Sequence, residues 1–297
     1  IAKGTIGDYP GQQGRMIMLD AGRKYWGIPY IKDLIREMSW VKSNAIFYHF
    51  AESEGFRLQS PNFSELNMPD DLSYNQSEVA EIIAFAKEHH VIVIPGFEFP
   101  GHASALSAAF NIGFDSGGSD KCTQSHMRNT HITPSFVVDM TSTVARNKVK
   151  DMLNEFIPWF TSPYVHIGAD EVDRGLAGCP RVANYISANA NIGSFGDLMT
   201  EFTNDLNTTV KENGKKTLMY DGLDHMSTPY QDLDSDIIFT MWESTNPPAG
   251  HQYFVLNPTH ILYVTPNNYH NVLANVNTLY TSWTPDVSSL SLGSGVS

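Results

Sequence analysis

The sequence predicts an α/β fold in which parallel strands alternate with helices, and within that class a (β/α)₈ barrel, or TIM barrel. Short apolar runs alternate with amphipathic stretches along the 297-residue chain, which is the pattern of repeated strand–helix units. Most of these runs end in polar or aromatic side chains, as the active face of a barrel requires. No glycine-rich nucleotide fingerprint follows the first run, where Leu19 leads into Asp20-Ala21-Gly22-Arg23. This disfavours a doubly wound, dinucleotide-binding sheet.

Seven apolar runs have the length and composition of buried strands. They cover residues 16–19, 45–49, 91–97, 165–168, 217–220, 237–242 and 261–264. Four segments between them carry apolar residues at helical spacing and predict helices over residues 31–41, 77–88, 144–160 and 195–213. In the first of these segments, one apolar face is formed by Ile31, Leu34, Ile35, Met38 and Val41.

The end of the chain offers no convincing eighth strand. Residues 287–297 are rich in Ser and Gly, and residues 288–292 make a poor strand. We therefore expect the eighth strand and helix of the barrel to be truncated or missing. The expected organisation is an N-terminal extension over residues 1–14 and one catalytic barrel domain over residues 15–297.

The composition is that of a globular protein, with 41% hydrophobic and 17% charged residues. The 32 acidic residues outnumber the 19 basic ones, and the formal net charge of −13 argues against nucleic acid or an anionic membrane as the main partner. No apolar stretch approaches the roughly 20 residues that span a bilayer. No histidine or cysteine spacing indicates a metal site and no cofactor motif is present, so we predict neither.

Two cysteines, Cys122 and Cys179, lie in loop-like contexts rich in glycine, proline and polar residues. They are either two free thiols or one disulfide, and we favour a disulfide, which would imply an oxidising compartment. Three Asn-x-Ser/Thr triplets begin at Asn62, Asn75 and Asn207 and are candidate N-glycosylation sites. Together these features favour a secreted or lysosome-like protein.

The fourth run, at residues 165–168, is followed closely by two adjacent acids, Asp170 and Glu171. Neighbouring side chains on an extended backbone point in different directions, so the two acids can have different environments and different pKa values. One acid held protonated beside an ionised one is the division of labour that acid/base catalysis at a glycosidic bond needs. The alternative is that both acids cap a following helix.

Residues 166–171 resemble the fourth-strand signature of glycoside hydrolase family 20, the β-N-acetylhexosaminidases. Six further segments resemble motifs of that family in the family's own order: residues 18–23, 49–57, 94–102, 220–222, 241–243 and 267–269. The resemblance looks closest to the compact branch that includes dispersin-like enzymes and lacto-N-biosidases. It implies a barrel and a retaining exo-glycosidase that acts on terminal β-linked N-acetylhexosamine in an oligosaccharide or glycoconjugate.

The resemblance also implies a mechanism in which the 2-acetamido oxygen of the substrate attacks the anomeric carbon. Glu171 would be the general acid/base, and Asp170 would orient the acetamido N–H and stabilise the oxazolinium-like intermediate. Tyr269 would donate a hydrogen bond to the acetamido oxygen. Adjacent acids fit this mechanism better than attack by a protein carboxylate, which needs two carboxylates on opposite faces of the sugar.

A supporting relay follows from the same resemblance. His102 would lie near Glu171 and help to hold its pKa high. Glu52 stands where the family usually has an aspartate that supports this histidine, and it is one methylene longer. Whether Glu52 reaches His102 stays open at this point, and the Pro-Gly-His turn could also be purely structural.

The residues expected to contact the sugar are Arg23, Glu52, Asp221, Trp242 and His166. The guanidinium of Arg23 would clamp hydroxyls with its fork of donors, and Trp242 would offer an apolar platform. The alternatives are an ion pair of Arg23 with Asp20, a core position for Trp242 and a turn position for Asp221.

Two other functions stay open. A pocket that is more open at its non-reducing end would release a disaccharide, as lacto-N-biosidases do. In the family, the eighth strand carries a sugar-binding Trp-x-Glu-like segment. A chain without that segment could instead be a carbohydrate-binding protein that has lost catalysis.

Overall fold

In the computed structural model, seven strands form one parallel sheet in sequential order. The structure describes residues 4, 7, 14–126, 133–221, 232–241 and 250–255. The strands are β1 (Met16–Asp20), β2 (Ala45–His49), β3 (Ile92–Phe99), β4 (Tyr164–Gly168), β5 (Lys216–Tyr220), β6 (Ile238–Met241) and β7 (Gln252–Val255). Sequential parallel pairing is the topology of a (β/α)₈ barrel, and the predicted fold class is confirmed.

The sheet curls, so that side chains of non-adjacent strands meet inside it. The ring of Phe47 on β2 stacks on His166 of β4 with centroids 4.4 Å apart, and it lies 6.2 Å from the ring of Tyr220 on β5. The Tyr220 hydroxyl lies 3.6 Å from Sδ of Met18 on β1. Gly96 on β3 makes this packing possible, because a Cβ there would clash with the Phe47 ring. The inside of the sheet is thus a packed core, as in barrels of this type.

The described residues contain six α-helices: α1 (Ile28–Trp40), α2 (Gln76–Glu88), α3 (Ser104–Phe110), α4 (Thr143–Phe156), α5 (Pro180–Ala188) and α6 (Phe195–Glu212). On α1, Ile31, Ile35 and Met38 are buried, which confirms the predicted apolar face. The helix α2 starts with a capping box, in which Asn75 Oδ1 accepts from the backbone N–H of Glu78 and the Glu78 carboxylate accepts from that of Asn75.

The structure differs from the prediction after β6. The seventh strand is Gln252–Val255, which pairs in parallel with β6, so the run at residues 261–264 is not the seventh strand. Only residues 242–251 separate β6 from β7, fewer than the dozen or more that a helical crossover usually takes. A prediction that expects a helix before every strand therefore does not find β7. Residues 261–264 and the candidate eighth strand at 288–292 lie outside the described residues.

Cys122 and Cys179 form the predicted disulfide, with Cα atoms 5.4 Å apart. It joins the segment between α3 and α4 to the residue that precedes α5. Cys122 lies in the connection between β3 and α4, and Cys179 lies in the connection between β4 and α5, so the disulfide joins two connections that follow strands. Among the helices of the described residues, none has the length and apolar character needed to cross a membrane.

The three candidate glycosylation sites have different surroundings. Asn62 is exposed and Asn75 is half-buried, so both stay predictions. Asn207 is buried, and its Nδ2 donates to Asp234 and Asp236 at 2.7 and 3.0 Å. The prediction is wrong for Asn207, because a glycan on this nitrogen would disrupt both hydrogen bonds and has no space in the fold.

Candidate active site

The turn after β4 determines where the two adjacent acids point. Gly168, Ala169 and Glu171 have φ angles of 82°, 83° and 52°, so the backbone turns sharply at the end of the strand. Only 14% of the Asp170 side chain is exposed, against 46% of the Glu171 side chain. The acids therefore have the different environments that their adjacency predicts. They cap no α-helix, since the next one begins at Pro180.

His102, which follows β3, connects the more exposed acid to the interior. Its Nε2 lies 3.0 Å from Oε2 of Glu171 and 3.7 Å from Oδ2 of Asp170. Its Nδ1 lies 3.1 Å from Oε2 of Glu52. The longer side chain of Glu52 thus reaches the histidine, and a relay from Glu52 through His102 to Glu171 is complete.

Arg23, just after β1, lies at the edge of this relay. Its Nη1 lies 2.8 Å from Oδ2 of Asp20, and its Nη2 lies 2.5 Å from Oε1 of Glu52. The ion pair with Asp20 is therefore present together with a contact to the relay. Its side chain remains 16% exposed. Its positive charge also lowers the pKa of Glu171, although by less than His102 does. Arg23 is thus held close to the predicted acid/base.

The charges within the relay stabilise one another. Burial by itself would lower the pKa of His102, but the carboxylates of Glu52 and Asp170 and the hydrogen bonds to Glu171 and Glu52 raise it well above 6.5. Burial by itself would raise the pKa of Glu52, but His102, His49 and Arg23 hold it well below 4.5. The resting relay is therefore an imidazolium between ionised carboxylates.

Glu171 does not have the raised pKa that the resemblance implies. The hydrogen bond from His102 lowers its pKa below the ordinary 4.5, against the opposing effect of burial. This prediction is wrong for the site without substrate, because a cationic donor favours the ionised form of its acceptor. The exposed side of Glu171 is where a bound substrate would change this balance.

Glu98 on β3 lies behind Asp170 and was not assigned a role from the sequence. It is buried against Gly168, where a Cβ would clash with its carboxyl group. Burial and the Asp170 carboxylate raise the pKa of Glu98 well above 4.5, which favours the protonated form of Glu98. Burial also raises the pKa of Asp170, while His102 and Glu98 oppose this. The available signal was a lone carboxylate within the otherwise apolar strand β3.

His49, the last residue of β2, is the second site residue without a predicted role. It is 2% exposed. Its Nε2 lies 3.4 Å from Oε1 of Glu52, and its Nδ1 lies 3.2 Å from Oε1 of Glu98. One buried imidazole therefore contacts the carboxyl groups behind both adjacent acids.

Comparison with known proteins agrees with this arrangement. The model of the family described as glycosyl hydrolase family 20, catalytic domain, matches residues 13–284. This chain belongs to glycosyl hydrolase family 20. The match includes the three strand ends that supply the relay and the one that supplies Arg23, so the resemblance drawn from the ordered motifs is confirmed.

The family-20 relatives are longer than this chain. The β-hexosaminidase subunit A1 of Dictyostelium discoideum is 26% identical over 255 residues, which are 83% of this chain and 44% of the relative. The human β-hexosaminidase subunit beta is 25% identical over 177 residues, 58% of this chain and 30% of the relative. The chain thus spans less than half the length of these relatives.

Solved family-20 structures share the fold. A GH20 exo-β-N-acetylglucosaminidase from Vibrio harveyi, in complex with N-acetylglucosamine, superposes with a TM-score of 0.69 at 22% identity and covers 80% of this chain and 39% of its own. The chitobiase of Flavobacterium johnsoniae gives 0.66 at 23% identity, covering 83% and 36%. At these identities the likeness establishes the barrel and nothing finer.

His166 of this family-20 chain does not line a sugar site. It is fully buried, its Nε2 lies 2.8 Å from Oγ1 of Thr240, and its Nδ1 accepts from the backbone N–H of Gly168. Burial and the nearby His49 lower its pKa well below 6.5, so it is a neutral core residue. Its predicted contact with substrate is wrong, because both ring nitrogens bond within the protein.

The remaining sugar-binding predictions concern the second half of the sheet. Asp221 is buried directly after β5, on the side where the strands end. Trp242 and Tyr269 lie outside the described residues. Their roles stay predictions.

One group among the described residues could hold a metal ion. His102, Asp170 and Glu171 each offer a ligand atom, and these atoms lie within 4.8 Å of one another. The same atoms form the relay, with His102 Nε2 at hydrogen-bond distance from Glu171. We therefore interpret the group as an acid/base centre, and the predicted absence of metals and cofactors stays a prediction.

Proposed function

We propose that this chain carries the catalytic barrel of a retaining exo-glycosidase that hydrolyses terminal β-linked N-acetylhexosamine through substrate assistance. The observation that carries the proposal is the inequivalence of the two acids. Asp170 is buried against Glu98, whereas Glu171 is partly exposed and bonded to His102. The expected substrate is an N-acetylhexosamine-containing oligosaccharide or glycoconjugate.

The positions of the two acids favour a substrate nucleophile over a protein nucleophile. A retaining pair that includes a protein nucleophile lies on opposite faces of the sugar. Here Asp170 and Glu171 both approach Nε2 of His102, at 3.7 and 3.0 Å. They therefore lie on one side of the site, where one can reach the leaving oxygen and the other the neighbouring acetamido group.

The first step breaks the glycosidic bond. Protonated Glu171 gives its proton to the glycosidic oxygen, the C1–O bond breaks and the acetamido oxygen forms a bond to C1. Asp170 accepts a hydrogen bond from the acetamido N–H, and its charge stabilises the positive oxazolinium ring. In the second step, Glu171 takes a proton from water, whose oxygen attacks C1 and reopens the ring. Two inversions at C1 give net retention.

Substrate binding has to raise the pKa of Glu171. Without substrate, the carboxylate is stabilised by His102 and by water on its exposed side. A sugar that covers Glu171 removes this water, and desolvation disfavours the charged form. The acid is therefore prepared for proton transfer in the complex and not in the open site.

The test uses 4-nitrophenyl N-acetyl-β-D-glucosaminide and the corresponding galactosaminide. We expect Glu171→Gln to lower kcat on an oligosaccharide by about 10²–10⁴-fold, and by less on these 4-nitrophenyl glycosides, whose good leaving group needs little protonation. Asp170→Asn should also lower kcat strongly. The matched control is Asp151→Asn, the same change on the exposed surface of α4, which should leave kcat unchanged.

N-acetylglucosamine-thiazoline mimics the cyclic intermediate and should inhibit the wild type competitively and tightly. An active enzyme that this compound does not inhibit would exclude substrate assistance. Turnover of a lacto-N-bioside but not of a monosaccharide glycoside would assign disaccharide release. Sugar binding without any turnover would assign a carbohydrate-binding protein.

We also propose that the protein matures in an oxidising compartment, secreted or lysosome-like. The disulfide between Cys122 and Cys179 supports this, because reducing compartments keep such thiols apart.

A further inference from the structure

We propose that His49 is a positioning residue that joins the two halves of the site into one series of neighbouring side chains, because its imidazole lies against a carboxyl group of each half. The inference rests on the function proposed above. The acetamide half consists of Asp170 with Glu98 behind it, and the proton half consists of Glu171 with His102 and Glu52 behind it. The series runs Asp170, Glu98, His49, Glu52, His102 and Glu171.

Apart from the 3.7 Å approach of His102 Nε2 to Oδ2 of Asp170, the two halves also meet deeper in the fold, at a crossing formed by His49. Its Nδ1 lies 3.2 Å from Oε1 of Glu98, and its Nε2 lies 3.4 Å from Oε1 of Glu52. All three side chains are at most 4% exposed, so water does not compete for these contacts. The buried carboxyl groups behind the two acids, those of Glu98 and Glu52, therefore contact the same imidazole ring.

The chemistry of imidazole makes this crossing informative. A neutral ring has one N–H and donates to one carboxyl at a time, whereas an imidazolium donates to both. The other groups that face His49 are His166 of β4, whose pKa it lowers, and Asp20, which is opposite it in the register of β1 and β2. The ring thus lies between two carboxyl groups on one side and a neutral histidine on the other.

Each contact of His49 has a separate consequence. The contact with Glu98 fixes the buried carboxyl group that is electrostatically coupled to Asp170, and hence the aim of Asp170 at the acetamido group. The contact with Glu52 helps to keep Glu52 ionised behind His102, and hence sets the proton affinity of the relay. Removing one nitrogen of His49 should therefore disturb one half of the site and spare the other.

Two substitutions separate the contacts. In His49→Asn the side-chain amide lies near the position of Nδ1 and can still reach Glu98. In His49→Gln it lies near the position of Nε2 and can still reach Glu52. The acetamide half is read by the affinity for N-acetylglucosamine-thiazoline in calorimetry, which needs no turnover. The proton half is read by the pH dependence of kcat/KM, which reports groups of the free enzyme.

We expect His49→Asn to keep the thiazoline affinity. It should also move the acid limb of kcat/KM to higher pH, because Glu52 loses a hydrogen-bond donor that lowers its pKa. We expect His49→Gln to keep the pH profile and to weaken thiazoline binding about tenfold, the effect of losing one buried polar contact. His49→Phe should change both readouts.

The matched control is Thr240→Val, which removes a buried hydrogen bond to His166 inside the same sheet and leaves the series intact. It should change thermal stability without changing either readout. Unchanged readouts in all His49 variants would overturn the proposal. So would parallel losses in His49→Asn and His49→Gln that follow their melting temperatures, since these indicate a merely structural role. An inactive wild type would instead count against the proposed function.

Discussion

Oε2 of Glu52 lies 3.1 Å from Nδ1 of His102, and this contact places an ionised carboxylate behind the histidine that bonds Glu171. The contact is buried, so its charge is poorly screened. It explains why His102 holds its proton and why Glu171, in the open site, does not.

Glu52→Gln should lower the pKa of His102, because the substitution removes the nearest negative charge. We expect the alkaline limb of the kcat/KM profile to move to lower pH and kcat to fall by about 10- to 100-fold. Titration of the His102 ring by NMR checks the pKa directly. A ring that titrates as in the wild type would show that Glu52 does not control it.

The relay should also produce a pH optimum of stability. The pKa of Glu52 is lowered on folding, so its contribution is present above about 4.5 and is lost as the pH falls. The pKa of His102 is raised, so its contribution is complete below 6.5 and is lost as the pH rises through the folded value. The pair therefore stabilises the fold most between about pH 4.5 and pH 6.5, the ordinary pKa values of the two groups. Urea titrations of wild type and Glu52→Gln from pH 4 to 8 should show the largest difference in free energy of unfolding in this window.

Glu98→Gln should become more stable relative to the wild type as the pH rises. Folded Glu98 has a raised pKa and keeps a proton that the unfolded chain releases above about 4.5. Above that pH the free energy of unfolding of the wild type falls by up to about 1.4 kcal/mol per pH unit from this group. The neutral amide removes this slope. A stability difference that stays constant between pH 5 and 7 would show that Glu98 is ionised in the fold.

Gly168→Ala should destabilise the protein far more than Gly214→Ala. Both glycines have positive φ angles, 82° and 70°, so both substitutions carry a backbone penalty of roughly 1–2 kcal/mol. Only at Gly168 does the new Cβ also clash, with Glu98, whereas nothing lies near Gly214. We expect lost activity for the first variant alone. Equal changes in free energy of unfolding would contradict the close packing of Glu98 on Gly168.

The double substitution Cys122→Ser, Cys179→Ser should lower the free energy of unfolding by about 4 kcal/mol, because the disulfide closes a loop with a sequence separation of 57. Denaturant titrations under non-reducing conditions measure this. Free-thiol labelling of the denatured, unreduced wild type should detect neither cysteine. Labelling of both would remove the support for an oxidising compartment.

Much of the fold could be predicted from the sequence, because the first six strands are apolar runs bounded by polar residues. β7 could not, since its short connection to β6 breaks the strand–helix alternation. Two short helices, α3 and α5, span only seven and nine residues, too few to show a clear helical period.

The candidate site was predictable where a motif marks the residue, as at Asp170, Glu171, His102 and Arg23. The roles of His49 and Glu98 depend instead on contacts between β2, β3 and the turn after β4; the lone carboxylate in β3 marks Glu98 but not its partners. His166 shows the reverse: it belongs to the same motif as the two acids, yet its position inside the curled sheet makes it a core residue.

All members of the series from Asp170 to Glu171 are supplied by β2, β3, β4 and the segments that follow them. The predicted contacts at Asp221, Trp242 and Tyr269 come from later in the chain. The proton-transfer groups are thus encoded before residue 172, whereas three of the predicted substrate contacts are encoded after residue 220. Mutagenesis confined to the codons after residue 220 could therefore search for new glycan specificities while leaving the acid/base apparatus untouched.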